Sequence, residues 1–303
     1  MTYFLGVDGG QSGTTALIGD DSGRVLDRGE AGPCNHAGVH EGRAKLERAV
    51  TASVAAACAQ AGLDAATIRF EAACFGMSGG PGGKEAILGS ILRAGRLTVT
   101  TDAVIALAGA TETGQGIVTI AGTGSIAFGR NAEGRSARAG GWGYVFGDEG
   151  GAFDIVRQAL RAALRMEEGW GAATELRAAI LEATGSRDAN EAVHLMYTAD
   201  WPRDRAATLA PLIDAAAGAG DTVANEILAT AAAQLAMLAA SVRRQLWKPG
   251  DAAEVAYIGG VFQSQRVLER FRMLVELEHG VRCIPPKRGP AEGALLEAYR
   301  SMP

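Results

Sequence analysis

The chain has 303 residues, of which 48% are hydrophobic and 21% charged, and its formal net charge is −5. This length fits two domains of ordinary size, and the composition is that of a soluble globular protein. The acidic balance, without any cluster of lysine and arginine, argues against a nucleic-acid partner. No apolar run approaches the roughly 18 residues that span a bilayer, so we expect no membrane partner.

The N-terminus and the cysteines predict the compartment. Residues 1–5 lead directly into the first predicted strand, which leaves no room for a signal peptide and predicts a cytoplasmic protein. The cysteines, Cys34, Cys58, Cys74 and Cys283, form no Cys-x-x-Cys pair. We therefore expect free thiols.

The first part of the chain predicts three strands followed by alternating helices and strands. In chain order, these are strands at 2–8, 14–20 and 24–31, a helix at 41–61, a strand at 70–77, a helix at 85–94 and a strand at 97–101. This order predicts a sheet with parallel central strands and helices on both faces.

The pattern then restarts. The second part contains predicted strands at 116–121, 125–130 and 135–139, a mostly helical region at 151–247, a strand at 255–258, a helix at 264–278, a strand at 281–284 and a last helix from Pro290. We therefore predict an α/β fold with two domains, 1–110 and 111–303, in which the last helix is able to return to the first domain.

Two glycine-rich strand–turn–strand units repeat along the chain. The first occupies residues 6–15 and the second residues 120–126, and each is followed by a hairpin-type turn. Gly13 in the first unit corresponds to Gly124 in the second. Glycine is favoured where the backbone takes a positive φ or where a phosphate approaches main-chain amides. The repeat suggests two related domains that each contribute a phosphate loop to one nucleotide, with two ordinary glycine hairpins as the alternative.

Two aspartates stand at the ends of predicted strands. Asp8 ends a strand that is otherwise apolar, where a carboxylate costs free energy unless it is paired, solvated or near a metal. Beside a phosphate loop it would suit hydrated Mg²⁺, and a turn-capping role is the alternative. Asp102 lies at a strand's carboxyl end and at a helix start, so it either caps the helix or accepts a hydroxyl proton, and these roles are compatible.

A polar segment rich in glycine, residues 140–151, precedes the helical region. It contains Trp142 and Asp148 among flexible backbone, which suits recognition of a polyhydroxylated ligand. The alternative is a loop with a capping carboxylate and a buried tryptophan. Asn35 and the pair Ser78-Gly79 are weaker candidates for the same ligand.

Together these residues resemble the acetate and sugar kinase/Hsp70/actin superfamily. The closer resemblance is to the BadF/BadG/BcrA/BcrD ATPase family, which includes N-acetylglucosamine kinase and bacterial glucosamine kinases, and it covers essentially the whole chain. The matching segments are Asp8-Gly9-Gly10 with Gly13-Thr14 (first phosphate motif), Gly122-Thr123-Gly124-Ser125 (second phosphate motif), Gly259-Gly260 (adenosine motif), Thr101-Asp102-Ala103 (catalytic-base segment) and residues 140–150, the most specific signature.

The resemblance implies two ribonuclease-H-like, actin-like ATPase domains with ATP and substrate in the cleft between them. It implies an ATP-dependent sugar kinase that uses Mg²⁺, with Asp8 positioning the metal and the amides around Thr123 holding the transferred phosphoryl group. Asp102 would take the proton of the attacking sugar hydroxyl, expected to be the 6-hydroxyl. The positions that resemble sugar contacts are Asn35, Ser78, Gly79, Gly141, Trp142 and Asp148.

Other members of the broad family provide the alternatives. The cysteine–histidine zinc motif of one branch of sugar kinases is absent from the sequence. Some relatives are ATPases that activate dehydratases or reductases through a cysteine-bound iron–sulfur cluster, with cysteines after the second phosphate loop. Here only Cys283 lies beyond that loop, which makes this function the second candidate. A non-catalytic ATP-binding regulator is disfavoured by the three aspartates Asp8, Asp102 and Asp148.

The sequence does not determine which amino sugar is the substrate. N-acetylglucosamine is expected slightly ahead of glucosamine, and N-acetylmuramic acid is also compatible, because the shape of the pocket around the 2- and 3-substituents decides between them. The oligomeric state is also open, and a homodimer would be the most common oligomer.

Overall fold

The computed structural model describes residues 1–10, 13–34 and 42–302. The chain divides into two compact units, which we call unit 1 (Met1–Gly116 and Pro285–Pro303) and unit 2 (Ile117–Ile284). The division that we predicted from the sequence falls after residue 110, near the end of a helix. In the structure unit 1 continues to Gly116 and also includes the segment from Pro285 onward.

Unit 1 is built on a five-stranded mixed sheet of order β3-β2-β1-β4-β5. Its elements are β1 (Tyr3–Gly9), β2 (Thr14–Asp20), β3 (Val25–Ala31), α1 (Gly42–Gln60), β4 (Phe70–Met77), α2 (Lys84–Ile91), β5 (Ala94–Thr101), α3 (Asp102–Thr111) and α11 (Pro290–Arg300). Strand β1 runs antiparallel to β2 and parallel to β4, which in turn runs parallel to β5. The carboxyl ends of β1, β4 and β5 therefore meet at one edge of the sheet.

Two apolar clusters are buried in unit 1. In the first, Leu46 and Val50 of α1 pack with Phe75 of β4. In the second, Leu295 of α11 packs with Phe4 of β1. The helices α1 and α11 therefore each contribute to a different core cluster of the same unit.

One predicted boundary in unit 1 is wrong. The sequence suggested a helix over 85–94 and a strand from Leu97, whereas α2 ends at Ile91 and β5 already begins at Ala94. Leu92 is extended, with φ −132° and ψ 147°. Ala94 pairs with Phe70 of β4, so strand pairing overrides the local helical preference of this alanine-containing segment.

Unit 2 is built on a second five-stranded mixed sheet, of order β10-β9-β6-β7-β8. Its elements are β6 (Gly116–Ala121, entering from unit 1), β7 (Ser125–Arg130), β8 (Ser136–Gly140), α4 (Ala152–Glu167), α5 (Leu176–Thr184), α6 (Ala189–Leu195), α7 (Arg203–Ala207), α8 (Ala210–Gly218), α9 (Thr222–Leu246), β9 (Ala253–Ile258), a 3-10 turn (Gly260–Gln263), α10 (Gln265–Glu276) and β10 (Val281–Ile284). The two sheets confirm the predicted α/β class.

Helix α9 is long and apolar enough to cross a membrane by length and composition, with a mean hydropathy of 1.4. The expectation from the sequence that no apolar run approaches the length of a bilayer span is therefore wrong for this helix. Its residues Leu228 and Leu235 are nevertheless buried in the core of unit 2, together with Ile155 of α4 and Phe271 of α10. Helix α9 thus serves as a core helix of this unit. All four cysteines are buried.

Candidate active site

The edge of unit 1 where β4 and β5 end brings two of the predicted site residues together. Met77 pairs with Thr101, so Ser78 and Asp102 follow two neighbouring parallel strands. The Ser78 hydroxyl donates a hydrogen bond of 2.9 Å to Oδ2 of Asp102. The amide of Ala103 donates to Oδ1 at 2.9 Å. Each carboxylate oxygen thus has one donor and retains acceptor capacity for a further hydroxyl group.

Asp8 lies one strand away on β1, where it pairs with Gly76 of β4. The pKa of Asp8 is raised to about 6, mainly by burial and to a smaller extent by the negative charge of Asp102. A cavity of about 490 Å³ adjoins Asp8, between strands β1–β3 and the start of α11. No group of three or more His, Cys, Asp or Glu side chains suited to a metal occurs in the part of the chain that the structure describes. A single carboxylate nevertheless fits Mg²⁺, which keeps several waters and uses substrate phosphates as ligands.

The first predicted phosphate loop joins β1 to β2. The amide of Gly10 donates to the carbonyl of Gly13 at 2.9 Å, and the Thr14 hydroxyl donates to the carbonyl of Gly32 at 2.9 Å. A Cβ at Gly9 would lie 2.5 Å from the sulfur of Met77, so this glycine is required for packing below the loop. Asn35, predicted to contact the sugar, lies outside the described residues.

The loop after β4 contains Gly79 and leads to Lys84 at the start of α2, a residue that the sequence analysis missed. Gly79 has a left-handed φ of 75° and open space around it. Lys84 is only 2% exposed, and its ammonium group donates to the carbonyls of Ser78, at 3.2 Å, and of Gly80. A lysine directly after a glycine-rich loop was visible in the sequence, but nothing there showed that it folds back onto the loop.

The second predicted phosphate loop, residues 122–125, lies in unit 2 between β6 and β7. The amide of Gly122 donates to the carbonyl of Gly124 at 3.0 Å. The first amides of α4 donate back to the loop, from Ala152 to Gly122 at 2.8 Å and from Phe153 to Thr123 at 3.1 Å. The positive end of the α4 dipole therefore lies at this loop, which is favourable for an anion.

Asp148 lies against the same loop. It is buried and takes a left-handed φ of 64°, and its carboxylate accepts hydrogen bonds from the Ser125 amide at 3.4 Å and from Arg203 Nη1 at 3.0 Å. The Ser125 hydroxyl is already engaged, since it donates to the carbonyl of Glu149 at 2.6 Å. A Cβ at Gly124 would collide with the Asp148 carboxylate. Asp148, which is predicted to contact the sugar, is thus in direct contact with the predicted phosphate loop.

Arg203 is the second residue that the sequence analysis missed. It begins α7, more than fifty positions along the chain from its partner, and no local motif marks it. Its guanidinium group also lies over the ring of Tyr144, 5.5 Å from the centroid. Arg203 therefore links Asp148 to the aromatic part of the segment that precedes it.

The segment before Asp148 exposes its tryptophan. The Gly141 amide donates to the carbonyl of Ser125 at 2.9 Å, so the segment starts beside the second phosphate loop. The Trp142 side chain is 66% exposed, with the guanidinium group of Arg138 4.4 Å from its ring centroid. This exposure contradicts the alternative of a buried tryptophan.

The predicted adenosine motif also adjoins the second phosphate loop. Gly259 and Gly260 follow β9, whose Ile258 pairs in parallel with Ile120 of β6. Gly259 has a φ of 116°, and a Cβ there would collide with the carbonyl of Ala121. The ends of β6 and β9 therefore present both motifs at one edge of the unit 2 sheet.

Nearly the whole chain also matches a known family. Residues 5–298 fit the model of the BadF/BadG/BcrA/BcrD ATPase family. The chain belongs to this family. The resemblance inferred from the motifs is confirmed.

Three relatives of known name are similar over nearly their full length. The chain is 32% identical to the N-acetylmuramic acid/N-acetylglucosamine kinase of Clostridium acetobutylicum, with 98% of each chain covered. It is 28% identical to the N-acetyl-D-glucosamine kinase of Dictyostelium discoideum, again with 98% of each covered. A crystal structure of a candidate N-acetylglucosamine kinase from Chromobacterium violaceum matches with a TM-score of 0.79 and 29% identity over 98% of both chains.

Proposed function

We propose that this family member is an ATP-dependent kinase that phosphorylates a hydroxyl group of an amino sugar, with N-acetylglucosamine first and glucosamine close behind. The observation that carries the proposal is the Asp102 carboxylate, held by Ser78 at the end of two parallel strands. The names of the relatives support the same substrate class. The 6-hydroxyl is the acceptor that we propose, in a cytoplasmic enzyme with access to ATP.

In the proposed reaction, the sugar hydroxyl attacks the γ-phosphorus of ATP and the bond between this phosphorus and the β,γ-bridging oxygen breaks. Asp102 accepts the hydroxyl proton, and ADP leaves with the bridging oxygen. The loop at residues 122–125 would hold the transferred phosphoryl group, supported by the positive end of α4. Asp8 would hold Mg²⁺, which when bound neutralises phosphate charge.

Asp148 and Trp142 would bind the sugar. The Asp148 carboxylate has acceptor positions beyond those used by Ser125 and Arg203, and these suit ring hydroxyls or a protonated 2-amino group. The exposed ring of Trp142 offers an apolar surface for a sugar face.

N-acetylmuramic acid is the second candidate substrate. It carries a carboxylate on its 3-substituent, and Arg138 places a positive charge over the Trp142 ring. The guanidinium group would attract this carboxylate, a charge that N-acetylglucosamine and glucosamine lack.

Steady-state kinetics on N-acetylglucosamine, glucosamine, N-acetylmuramic acid and glucose test the proposal. We expect an amino sugar to have the highest kcat/KM and ATP turnover to depend on the sugar. A clear preference for glucose would refute the substrate class. Sugar-independent ATP hydrolysis would instead favour the function of an activating ATPase.

A further inference from the structure

Lys84 is a buried charge that the proposed reaction does not use. It stands at the start of α2, and its side chain is almost fully buried. Burial lowers the pKa of Lys84 below its usual value. Electrostatic interactions with Cys34 and Asp102 oppose this shift but do not cancel it. A buried ammonium group is costly unless its N–H groups find acceptors. Here the acceptors are the main-chain carbonyls of Ser78 and Gly80.

These two carbonyls belong to a segment with much conformational freedom. The segment of residues 78–83 contains Gly79, Gly80 and Gly83, which take φ values of 75°, 81° and 70°. Glycine loses more conformational freedom on folding than any other residue, so such a segment needs external contacts to hold one conformation. The Lys84 ammonium group provides two of these contacts.

The segment begins with the residue that orients the candidate base. Two hydrogen bonds hold the main chain of Ser78 in place. Its carbonyl accepts from the Lys84 ammonium group, and its amide donates to the carbonyl of Gly9 at 3.0 Å. Its hydroxyl then donates to Oδ2 of Asp102 at 2.9 Å. A continuous path of hydrogen bonds and one residue of backbone therefore joins Lys84 to Asp102.

We propose that Lys84 is a positioning residue for Asp102, which it orients through the backbone and hydroxyl of Ser78. The inference rests on the proposed function, because it takes Asp102 as the proton acceptor. Lys84 contacts the loop and not the reacting atoms, so its removal should disturb the geometry of the base more than substrate affinity. A misplacement of about 1 Å in such a site lowers turnover on the order of 10²-fold.

The test compares the purified variants Lys84→Met, Ser78→Ala and their double variant with the wild-type chain. Lys84→Met keeps an unbranched side chain but removes the charge and the donors. We expect it to lower kcat by about 10- to 100-fold while the KM values for ATP and sugar stay within about threefold. Lys248→Met is the matched control, because Lys248 is exposed in unit 2, and its kcat should equal that of the wild type.

Non-additivity distinguishes positioning through Ser78 from a general effect on folding. If Lys84 acts through Ser78, the double variant should lose little more kcat than the more impaired single variant. Losses that multiply in the double variant would overturn the proposal, as would an unchanged kcat in Lys84→Met. A loss expressed in KM alone would also overturn it.

A second variant keeps the test decisive if Lys84→Met fails to fold. Lys84→Gln has a shorter side chain and only an amide group as donor, so it should hold the two loop carbonyls less firmly and lower kcat several-fold, less than Lys84→Met. An unchanged kcat, or a loss that multiplies with that of Ser78→Ala, would overturn the proposal. The proposed function is tested separately by the wild-type chain and Lys248→Met. If neither phosphorylates an amino sugar, the proposed function fails; if both do and the Lys84 variants match them, only the role of Lys84 fails.

Discussion

At the scale of single residues, the two carboxylates of unit 1 have different surroundings. Asp102 accepts hydrogen bonds from Ser78 and from the Ala103 amide. Asp8 is half-buried, and burial together with the charge of Asp102 raises its pKa to about 6. A hydrogen-bonded carboxylate suits a proton acceptor that must stay oriented, whereas a destabilised negative charge suits the binding of a cation.

Replacement of Asp102 tests the proton acceptor. Asp102→Asn keeps the size of the side chain and its acceptor oxygen, so sugar KM should change little. Turnover should fall by at least about 10²-fold, the usual contribution of a general base. Initial rates with saturating ATP provide the measurement, with the exposed Asp200→Asn as control. Near-normal turnover in Asp102→Asn would reduce this residue to a helix cap.

The raised pKa of Asp8 predicts a pH-dependent stability difference. Because the folded-state pKa lies above the unfolded value, ionisation of Asp8 destabilises the fold, and this loss develops as pH rises from about 4 to above 6. Without nucleotide or metal, Asp8→Asn should therefore be more stable than the wild type at pH 7.5, by up to about 3 kcal/mol.

Urea unfolding of both chains at pH 4 and pH 7.5 measures this difference. The advantage of Asp8→Asn should be much smaller at pH 4, where the wild-type carboxyl is protonated in the folded state and about half protonated in the unfolded state. An equal difference at the two pH values would contradict the role of Asp8 ionisation. Loss of the Mg²⁺-dependent activity in the same variant would follow from its proposed role in holding the metal.

At the scale of elements, the loops at the strand ends use glycine for two different purposes. A Cβ at Gly124 would collide with the Asp148 carboxylate, whereas one at Gly122 would meet open space. The first glycine therefore makes room for a neighbouring side chain. The second leaves the loop surface free for a ligand.

This contrast predicts different kinetic effects for two alanine variants. Gly124→Ala should displace Asp148 and raise the KM for the sugar, on the order of tenfold, since one lost charged hydrogen bond is worth about 1.5 kcal/mol or more. Gly122→Ala should leave the KM for the sugar unchanged and affect the KM for ATP. Measuring both KM values for each variant checks the prediction, and identical profiles would refute it.

Two helix glycines of unit 1 allow a second comparison between a crowded and an open position. A Cβ at Gly293 of α11 would collide with the carbonyl of Ile105 in α3, whereas Gly89 of α2 faces open space. Gly293→Ala should lower the free energy of unfolding by at least about 2 kcal/mol through overpacking. Gly89→Ala should raise it by about 0.5–1 kcal/mol through helix propensity. Denaturant unfolding measures both, and a neutral Gly293→Ala would contradict the close packing of these helices.

Local patterns predicted most elements but not the contacts between distant ones. Strand β1 and the turn after Gly9 were evident from an apolar run and from glycine, which act over a few residues. The start of β5 at Ala94 was missed, because it depends on pairing with Phe70. The contact of Arg203 with Asp148 was missed for the same reason, since only folding brings α7 to that carboxylate.

At the scale of the whole molecule, the two units differ in their continuity along the chain. Unit 2 is the continuous segment Ile117–Ile284 and has a core cluster of its own. Unit 1 is discontinuous, since Ala294 and Leu295 of α11 pack with Phe4 in one of its clusters. The same helix caps its first turn through Glu292, whose side chain accepts from the Gly289 amide at 2.9 Å.

Two fragments test this difference. The fragment 117–284 should fold alone and unfold cooperatively, because its core is complete. A chain that ends at residue 284 should retain only that transition, because unit 1 lacks the buried face of α11. Differential scanning calorimetry with far-UV circular dichroism follows both. A second, wild-type-like transition in the shortened chain would contradict the requirement for α11.

The return of α11 to unit 1 has a consequence for synthesis on the ribosome. The strands β1 and β2 are translated first, yet their α11-facing residues Phe4 and Leu17 stay uncovered until the chain beyond unit 2 has emerged. At about 5–20 residues per second, translating residues 117–303 takes on the order of 10–40 s. During this interval unit 2 is able to fold, while the nascent unit 1 exposes apolar surface to chaperones. Unit 1, whose synthesis begins first, is therefore the last unit to complete its core.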